Sequence, residues 1–239
     1  KYSNFIRNHK IDVVYTYFGY GMFAVKTPQI CGVAVSNVFF PKIKFWEGNH
    51  INIFIKKLID KYRVYGIKKA AGLIFENKLM EKRSHSLFKI SNEITTYIPP
   101  TFNPDFDEEI FNIPELNVSA LKLLMLCGWQ LNKNIMRVPE IAYYLKNKNI
   151  NFQFIITAPK DNSKIYKEFL SLSKQYNIQE HISIIGPVRK KNLKSLYEQI
   201  DFVLLMSKLE SFSNNIIEAW HFQKPLIISD EDWARSICG

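Results

Sequence analysis

The chain has 239 residues, 47% of them apolar, and a formal net charge of +10. That composition can bury one or two cores, which excludes a disordered chain, and no stretch approaches the about eighteen apolar residues of a spanning helix. Three cysteines far apart, Cys31, Cys127 and Cys238, with no Cys-x-x-Cys pair, argue against a disulfide framework and against zinc and are expected as core thiols.

From the start of the chain, short β-rich apolar runs bounded by polar or Pro/Gly punctuation predict strands at residues 12–17, 30–35, 71–75 and 94–98. Helical spacing predicts helices at 51–65 and 78–87; the first carries Ile51, Phe54, Ile55, Leu58 and Ile59 on one stripe. The Pro- and Asp-rich stretch 99–109 breaks every periodicity and is the linker candidate. Charge changes there as well. Residues 1–105 hold 16 Lys and Arg against 7 Asp and Glu, whereas residues 106–239 hold 16 against 15. In the basic half, Lys42, Lys44, Lys56, Lys57, Lys61, Arg63, Lys68 and Lys69 are interleaved with Phe45, Trp46, Phe54, Tyr62 and Tyr65. Residues 42–69 therefore suit an anionic surface, either a bilayer or a lipid phosphate, with a merely solvated basic face as the plain alternative. No nucleic-acid reading module is recognisable, and no nucleic acid is expected.

A second series follows: strands at 120–126, 152–157, 182–185, 202–206 and 226–229, alternating with helices at 137–146, 163–175, 193–200 and after residue 212. Such alternation predicts α/β architecture with doubly wound parallel sheets in two segments, 1–105 and 106–239. Ligands of such sheets bind beyond the carboxyl ends of the strands, where Gly128, Ala158, Gly186 and Glu210 all fall.

The most informative run is Ser207 to Trp220, closed by Lys224-Pro225-Leu226-Ile227-Ile228-Ser229-Asp230. Glu210 and Glu218 stand with seven residues between them, the first in a loop after an apolar strand, the second in the following helix. At about 1.5 Å rise per residue, Glu218 lies only about 5 to 7 Å along the axis from the helix start, so both carboxylates are expected to reach one elongated ligand. Phe212, Ser213, Asn214 and Asn215 open that helix, where first-turn N–H groups lack intrahelical partners and the dipole favours an anion such as phosphate.

Strand, Ser-x-x-Glu-x-Phe, a helix with Glu-Ala, then Lys-Pro-Leu-Ile-Ile-Ser-Asp resembles the group 1 retaining nucleotide-sugar glycosyltransferases of the GT-B type. The likeness is loose over nearly the whole chain and close over 181–230. It implies two Rossmann-like domains facing a cleft, and further that Glu218 binds the donor ribose, that Glu210 lies beside the transferring sugar, and that a nucleoside diphosphate sugar is the donor. In that family a Gly-Arg pair followed by Lys offsets charge on the leaving diphosphate. Here Gly128 matches, Trp129 replaces the arginine, Lys133 takes the lysine place one residue early, and Arg137 is the candidate second cation. Gly186, with Arg189 and Lys190 beyond it, matches the element around the nucleotide base, and Asp201 a position of structural use. The family's acceptor-side histidine corresponds to Asn37, which can bond a hydroxyl but cannot act as a base. The glycine pair expected after the last strand is replaced by Asp230-Glu231-Asp232.

Asp105-Phe106-Asp107 has the form of a metal-holding Asp-x-Asp but lies in the linker, so no metal and no further cofactor is expected. No histidine takes a catalytic role. Relative to the family the chain resembles the middle of a longer enzyme, with its first domain incomplete and its last elements missing. The resemblance implies retaining transfer of a sugar to a glycan or lipid-linked acceptor in cell-surface polysaccharide synthesis, by a cytoplasmic protein peripheral on the inner membrane face. The alternatives are a nucleotide-sugar epimerase on the same scaffold, or a non-catalytic basic protein that binds membranes or nucleic acid.

Overall fold

A computed structural model describes residues 2–23, 25–43, 50–103 and 109–239. The chain forms two compact units, one of Lys1–Pro100, Leu209–Phe212 and Asp230–Gly239, the other of Thr101–Lys208 and Ser213–Ser229. The expected boundary between 105 and 106, the Asp105-Phe106-Asp107 run, and Lys44, Phe45 and Trp46 of the basic segment lie outside the described residues.

The first unit begins with a helix that the sequence reading did not anticipate, α1 (Tyr2–Asn8). It continues through β1 (Val14–Thr16), β2 (Gln29–Val33), α2 (His50–Lys69), β3 (Gly72–Phe75), α3 (Lys78–Phe88) and β4 (Thr95–Tyr97). The four strands form one parallel sheet in that order, with Ile30 opposite Gly72 and Leu73 opposite Thr95. Val33, Leu73 and Phe75 of the inner strands are buried, as expected where helices cover a parallel sheet. Helix α2 comes so close to the loop after β1 that a Cβ on Gly66 would meet the carbonyl oxygen of Tyr20 at 2.0 Å. Only glycine fits there.

The apolar stripe of α2 does not face this core. Ile51, Phe54, Ile55, Leu58 and Ile59 are exposed. The inward side carries Asp60, Val64 and Ile67 instead, of which Ile67 is fully buried and Asp60 accepts a hydrogen bond from Asn37 Nδ2 at 2.7 Å. The sequence holds two stripes half a turn apart, and the register with the sheet selects the less apolar one.

The second unit runs β5 (Leu121–Met125), α4 (Val138–Asn147), β6 (Phe152–Ile156), α5 (Lys164–Gln175), β7 (Ile182–Ile184), α6 (Leu193–Glu198), β8 (Phe202–Leu205), α7 (Asn214–His221) and β9 (Leu226–Ile228). Its parallel sheet has the order β7-β6-β5-β8-β9. Alternate side chains serve opposite layers. Leu123, Met125, Phe154 and Ile156 pack with Val138 and Ala142 of α4 and Phe169 of α5; Leu124, Ile155 and Val203 pack with Leu196 and Tyr197 of α6 and Ala219 of α7. Gln153 is buried within β6, yet its amide is satisfied by the Asn117 N–H, the Ser183 hydroxyl and the Glu115 carbonyl.

The chain ends in a second unanticipated helix, α8 (Asp232–Cys238), which belongs to the first unit. There Cys238 is exposed rather than a core thiol. Fully buried Trp233 of α8 lies beside Asn77, which precedes α3. The Asn77 oxygen caps α3 by accepting from Leu79 N and Met80 N, while its Nδ2 donates to the Trp233 carbonyl at 3.2 Å and its oxygen also accepts from the Ser236 hydroxyl. Arg83 of α3 pairs with Asp232 at 2.6 Å. One buried side chain thus serves as helix cap and as tether. Asn77→Ala removes the cap and the tether, while the Trp233 carbonyl keeps the Ser236 hydroxyl at 2.8 Å, so it is expected to cost about 1 to 2 kcal/mol. Urea unfolding of the variant checks this, with Arg83→Ala, which loses the Asp232 pair, a bond to the Phe39 carbonyl and its place over the Phe40 ring, expected to cost about 1 to 2 kcal/mol.

Candidate functional site

In the second sheet the chain moves outward from β5 to β6 and β7, then returns to the other side of β5 to lay down β8 and β9. The connections after β5 and β8 therefore leave in opposite directions, and a crevice opens over their carboxyl ends. A cavity of about 730 Å³ lies there. It is lined by Gly128 from the loop after β5, Thr157 and Pro159 after β6, Pro187 and Lys190 after β7, and Asn214, Asn215 and Glu218 of α7.

Helix α7 is anchored at this point by its own first turn. Asn215 Nδ2 donates to the Leu126 carbonyl at 2.9 Å, which fixes the helix start against the end of β5. Ser213 precedes the helix in extended conformation and its side chain makes no capping bond. The Ile216 N–H bonds back to the Ser213 carbonyl at 3.0 Å, while the N–H groups of Asn214 and Asn215 keep their capacity for an acceptor in the cavity. One turn on, Glu218 lies half-buried, and its Oε2 accepts from the Tyr197 hydroxyl at 3.0 Å. Burial pushes the Glu218 carboxyl above its ordinary range, while the Tyr197 bond and the charge of Lys190 pull the other way. Tyr197 is fully buried and stacked on Phe222 at 4.6 Å between ring centres; its hydroxyl is raised by burial and by the carboxylate it serves. Such an arrangement offers one carboxylate oxygen held in place, a second for a ligand, a cation and a helix N-terminus in one cavity.

Of the residues singled out from sequence, Gly128, Asn214, Asn215 and Glu218 line this one cavity. Gly186 does not line it. Its φ is +80°, and the space around a Cβ there is empty, so the left-handed backbone rather than crowding calls for glycine. Lys133 ends a 3-10 turn in the loop after β5, half-buried and outside the lining residues. Arg137 is exposed, also outside the lining, and pairs at 2.8 Å with Glu140 of its own helix. Ser213 is buried in the second unit, whereas Glu210 and Phe212 belong to the first. Asn37, the acceptor-side candidate, follows β2 in the first unit and is bonded to Asp60 of α2.

Trp129, in place of the family's arginine, is a core residue. It packs on Tyr166 and Phe169, and its indole N–H donates to the Pro159 carbonyl. Asp201 accepts from the Lys122 backbone at 2.8 Å and pairs with its ammonium, a structural tie between β8 and β5. Asp230 is exposed in the first unit and held by both nitrogens of the Arg235 fork.

Three functional candidates escaped the sequence reading. Tyr197 sits on α6 at ordinary helical spacing, and nothing local distinguishes its hydroxyl from a solvated one. Lys190 was noticed only as part of a basic pair beyond Gly186. Glu76 follows β3, half-buried, with its carboxyl pushed up by burial and accepting from the Ser211 hydroxyl at 3.4 Å, 135 residues away. A carboxylate directly after a parallel strand was the available signal. Among the described residues no group of three or more His, Cys, Asp or Glu is placed to hold a metal ion, and no helix is long and apolar enough to cross a membrane.

Comparison with known proteins gives the same fold. Anabaena Alr3699/HepE, solved in complex with UDP-glucose, matches with a TM-score of 0.72 at 12% identity over 99% of this chain and 65% of that one. Sucrose-phosphate synthase from Thermosynechococcus elongatus matches with 0.71 at 12% identity over 96% and 58%, and a glycosyltransferase from Rickettsia africae with 0.67 at 14% over 100% and 63%. The chain thus spans 58 to 65% of the length of these three proteins. No curated protein matches it in sequence. The family model described as glycosyl transferases group 1 matches residues 106–239, more than half of the chain and all of the cavity-bearing sheet. With two parallel-sheet α/β units and neighbours of the GT-B type, the chain belongs to the group 1 glycosyltransferases.

Proposed function

We propose that this protein transfers a sugar from a nucleoside diphosphate donor to a glycan or lipid-linked acceptor, with residues 106–239 holding the donor and residues 1–105 the acceptor side. The observation that carries the reading is Glu218: a half-buried carboxylate on α7, inside the cavity, with one oxygen held by Tyr197 and a helix N-terminus one turn away. A diol such as ribose presents two donors to the remaining carboxylate valences. A diphosphate meets the open N–H groups of Asn214 and Asn215 and the positive charge of Lys190 and Lys133. UDP is the first nucleotide to test, since the Anabaena neighbour and a Staphylococcus aureus one were solved with it.

In the proposed reaction the bond between the anomeric carbon and the diphosphate oxygen breaks, and a bond from the acceptor hydroxyl oxygen forms on the same face. The hydroxyl proton passes to the departing phosphate. This retaining course fits a site where Glu210, beside the sugar, steadies positive charge rather than forming a covalent intermediate. Trp129 leaves the leaving group one cation poorer than in the family pattern. Lys190 supplies that charge in this reading, and Arg137, turned to Glu140, does not. The place of action is a cytoplasmic membrane face in surface-polysaccharide synthesis, supported by the basic balance of residues 1–105.

Three measurements test the reading. In a thermal-shift panel of UDP, GDP, ADP and dTDP, one nucleotide is expected to stabilise the protein. Its affinity should fall at least about tenfold in Glu218→Ala, because hydrogen bonds to a charged acceptor contribute about 1.5 to 3 kcal/mol each; equal stabilisation of both proteins removes Glu218 from the site. In turnover assays Lys190→Ala and Lys133→Ala are expected to lower kcat by about 10² while Arg137→Ala stays within about twofold. Product analysis in the same assays decides the reaction, since an epimerised nucleotide sugar made from donor alone overturns transfer. The third measurement concerns charge. Because the folded protein raises the Glu218 pKa, protonation favours folding: that contribution is complete below the ordinary glutamate range and is lost as pH rises through the raised value. Glu218→Gln keeps an acceptor for Tyr197 without the charge. It is expected to melt higher than the unaltered protein at neutral pH, the gap closing toward about pH 4, and a gap that ignores pH would contradict the assignment.

A further inference from the structure

Helix α2 turns its most apolar face away from the sheet it packs on. Ile51 is 71% exposed, Phe54 62%, and Ile55 and Leu58 48% each, and Tyr62 and Tyr65 continue the stripe toward the helix end. Five turns of one helix thus present a single strip of apolar side chains, spaced three and four apart. An apolar strip of this size on a soluble surface marks an interaction site.

The charges beside it say what kind. Lys57 and Lys61 are exposed at successive turns along one border, and Lys68 and Lys69 close the C-terminal end. The helix has one acidic residue, Asp60, and it lies on the inward side, bonded to Asn37 and paired with Arg63. No acidic side chain therefore borders the outward strip on α2 itself. At the C-terminal end the strip runs on into Phe23, stacked on Tyr62 at 3.7 Å between ring centres. Beside Phe23 is a cavity of about 300 Å³ lined by Lys26, Lys69 and Tyr65 among others.

We propose that this face of α2 lies in the interface of an anionic bilayer. The aliphatic and aromatic strip enters the boundary between headgroups and acyl chains, the bordering lysines pair with headgroup phosphates, and the Lys26–Lys69 cavity receives one such phosphate. An amphipathic helix lying in the interface requires this combination of a continuous apolar face and a basic border without acidic neighbours. A protein partner would have to desolvate the same lysines or supply matching carboxylates; a second copy of this chain offers another basic surface, which repels it. The inference sharpens the membrane part of the proposed function, while the binding itself needs no donor.

Flotation of the full chain with vesicles of phosphatidylcholine alone, or with 40 mol% phosphatidylglycerol (a composition of about this order), tests it. Binding is expected to the anionic vesicles and to weaken as salt screens the lysines. The double variant Ile55→Glu, Leu58→Glu should bind at least about tenfold more weakly, having lost two apolar anchors and gained two repelled charges. The variant Lys57→Glu, Lys61→Glu should lose a similar factor while leaving the strip intact. All four positions are exposed, so both variants should keep the melting temperature and UDP affinity of the unaltered protein. Absence of binding to anionic vesicles, binding equal to both vesicle types, or unchanged binding by the Glu variants overturns the proposal. So does a dimer of the unaltered protein that Ile55→Glu, Leu58→Glu converts to monomer, for then a second copy covers the strip. Loss of UDP binding alone would instead sink the donor-site reading and leave this one standing.

Discussion

Everything at the candidate site depends on the way the second sheet is wound. Starting at β5, the chain lays strands to one side and then to the other, so two successive neighbours, β5 and β8, send their connections to opposite faces. The cavity above their carboxyl ends is lined by those loops together with Thr101, Phe102 and Asn103 and the residues that follow β6 and β7. The helix that follows β8 must begin at that gap, and the Asn215 bond to the Leu126 carbonyl pins its first turn to the edge of β5. That contact fixes where α7 starts, and the helix then carries Glu218 to Tyr197. A shift of α7 by one residue would rotate Glu218 by about 100° and take its carboxyl off Tyr197.

Burial of that carboxylate works against folding and for recognition. Water is removed from Glu218, and one hydroxyl and one nearby lysine replace it incompletely, which is why its carboxyl is pushed up rather than down. A carboxylate short of donors in this way suits the donor-binding role proposed above. Tyr197 sets which oxygen remains available, and stacking on Phe222 keeps the phenol from turning away. The two aromatic rings thus position the carboxylate.

The sequence shows the fold clearly because parallel strands covered on both faces leave unmistakable apolar runs. All four strands of the first sheet and all five of the second fall within or beside the expected segments. Within the site, what could be read were features written locally: a glycine after a strand, polar residues opening a helix, a glutamate one turn on. Features that depend on distant partners could not be read. Trp129 looked like a departure from a cationic site and is instead the lid of a core formed with Tyr166 and Phe169, thirty-seven or more residues away. Asn37 donates its Nδ2 to Asp60 of α2, a partner 23 residues away that local sequence does not announce. Of its two stripes, α2 buries the one with fewer apolar residues, because that side offers Ile67 to the core, Asp60 to Asn37 and, at Gly66, room for the Tyr20 carbonyl.

The two-glutamate run itself is divided. Measured along the sequence, Glu210 and Glu218 look like a pair at fixed separation. In the structure Leu209–Phe212 folds with the first unit, where Leu209 is buried and Ser211 bonds Glu76, whereas Ser213–Ser229 folds with the second. Each glutamate therefore takes its position from a different core. Substitutions behind Tyr197 or Leu196 act on Glu218 and leave Glu210 alone, and substitutions around β3 and Glu76 do the reverse. A motif contiguous in sequence is thus held by two separate cores, and additivity is the expected behaviour of stability changes placed in opposite units.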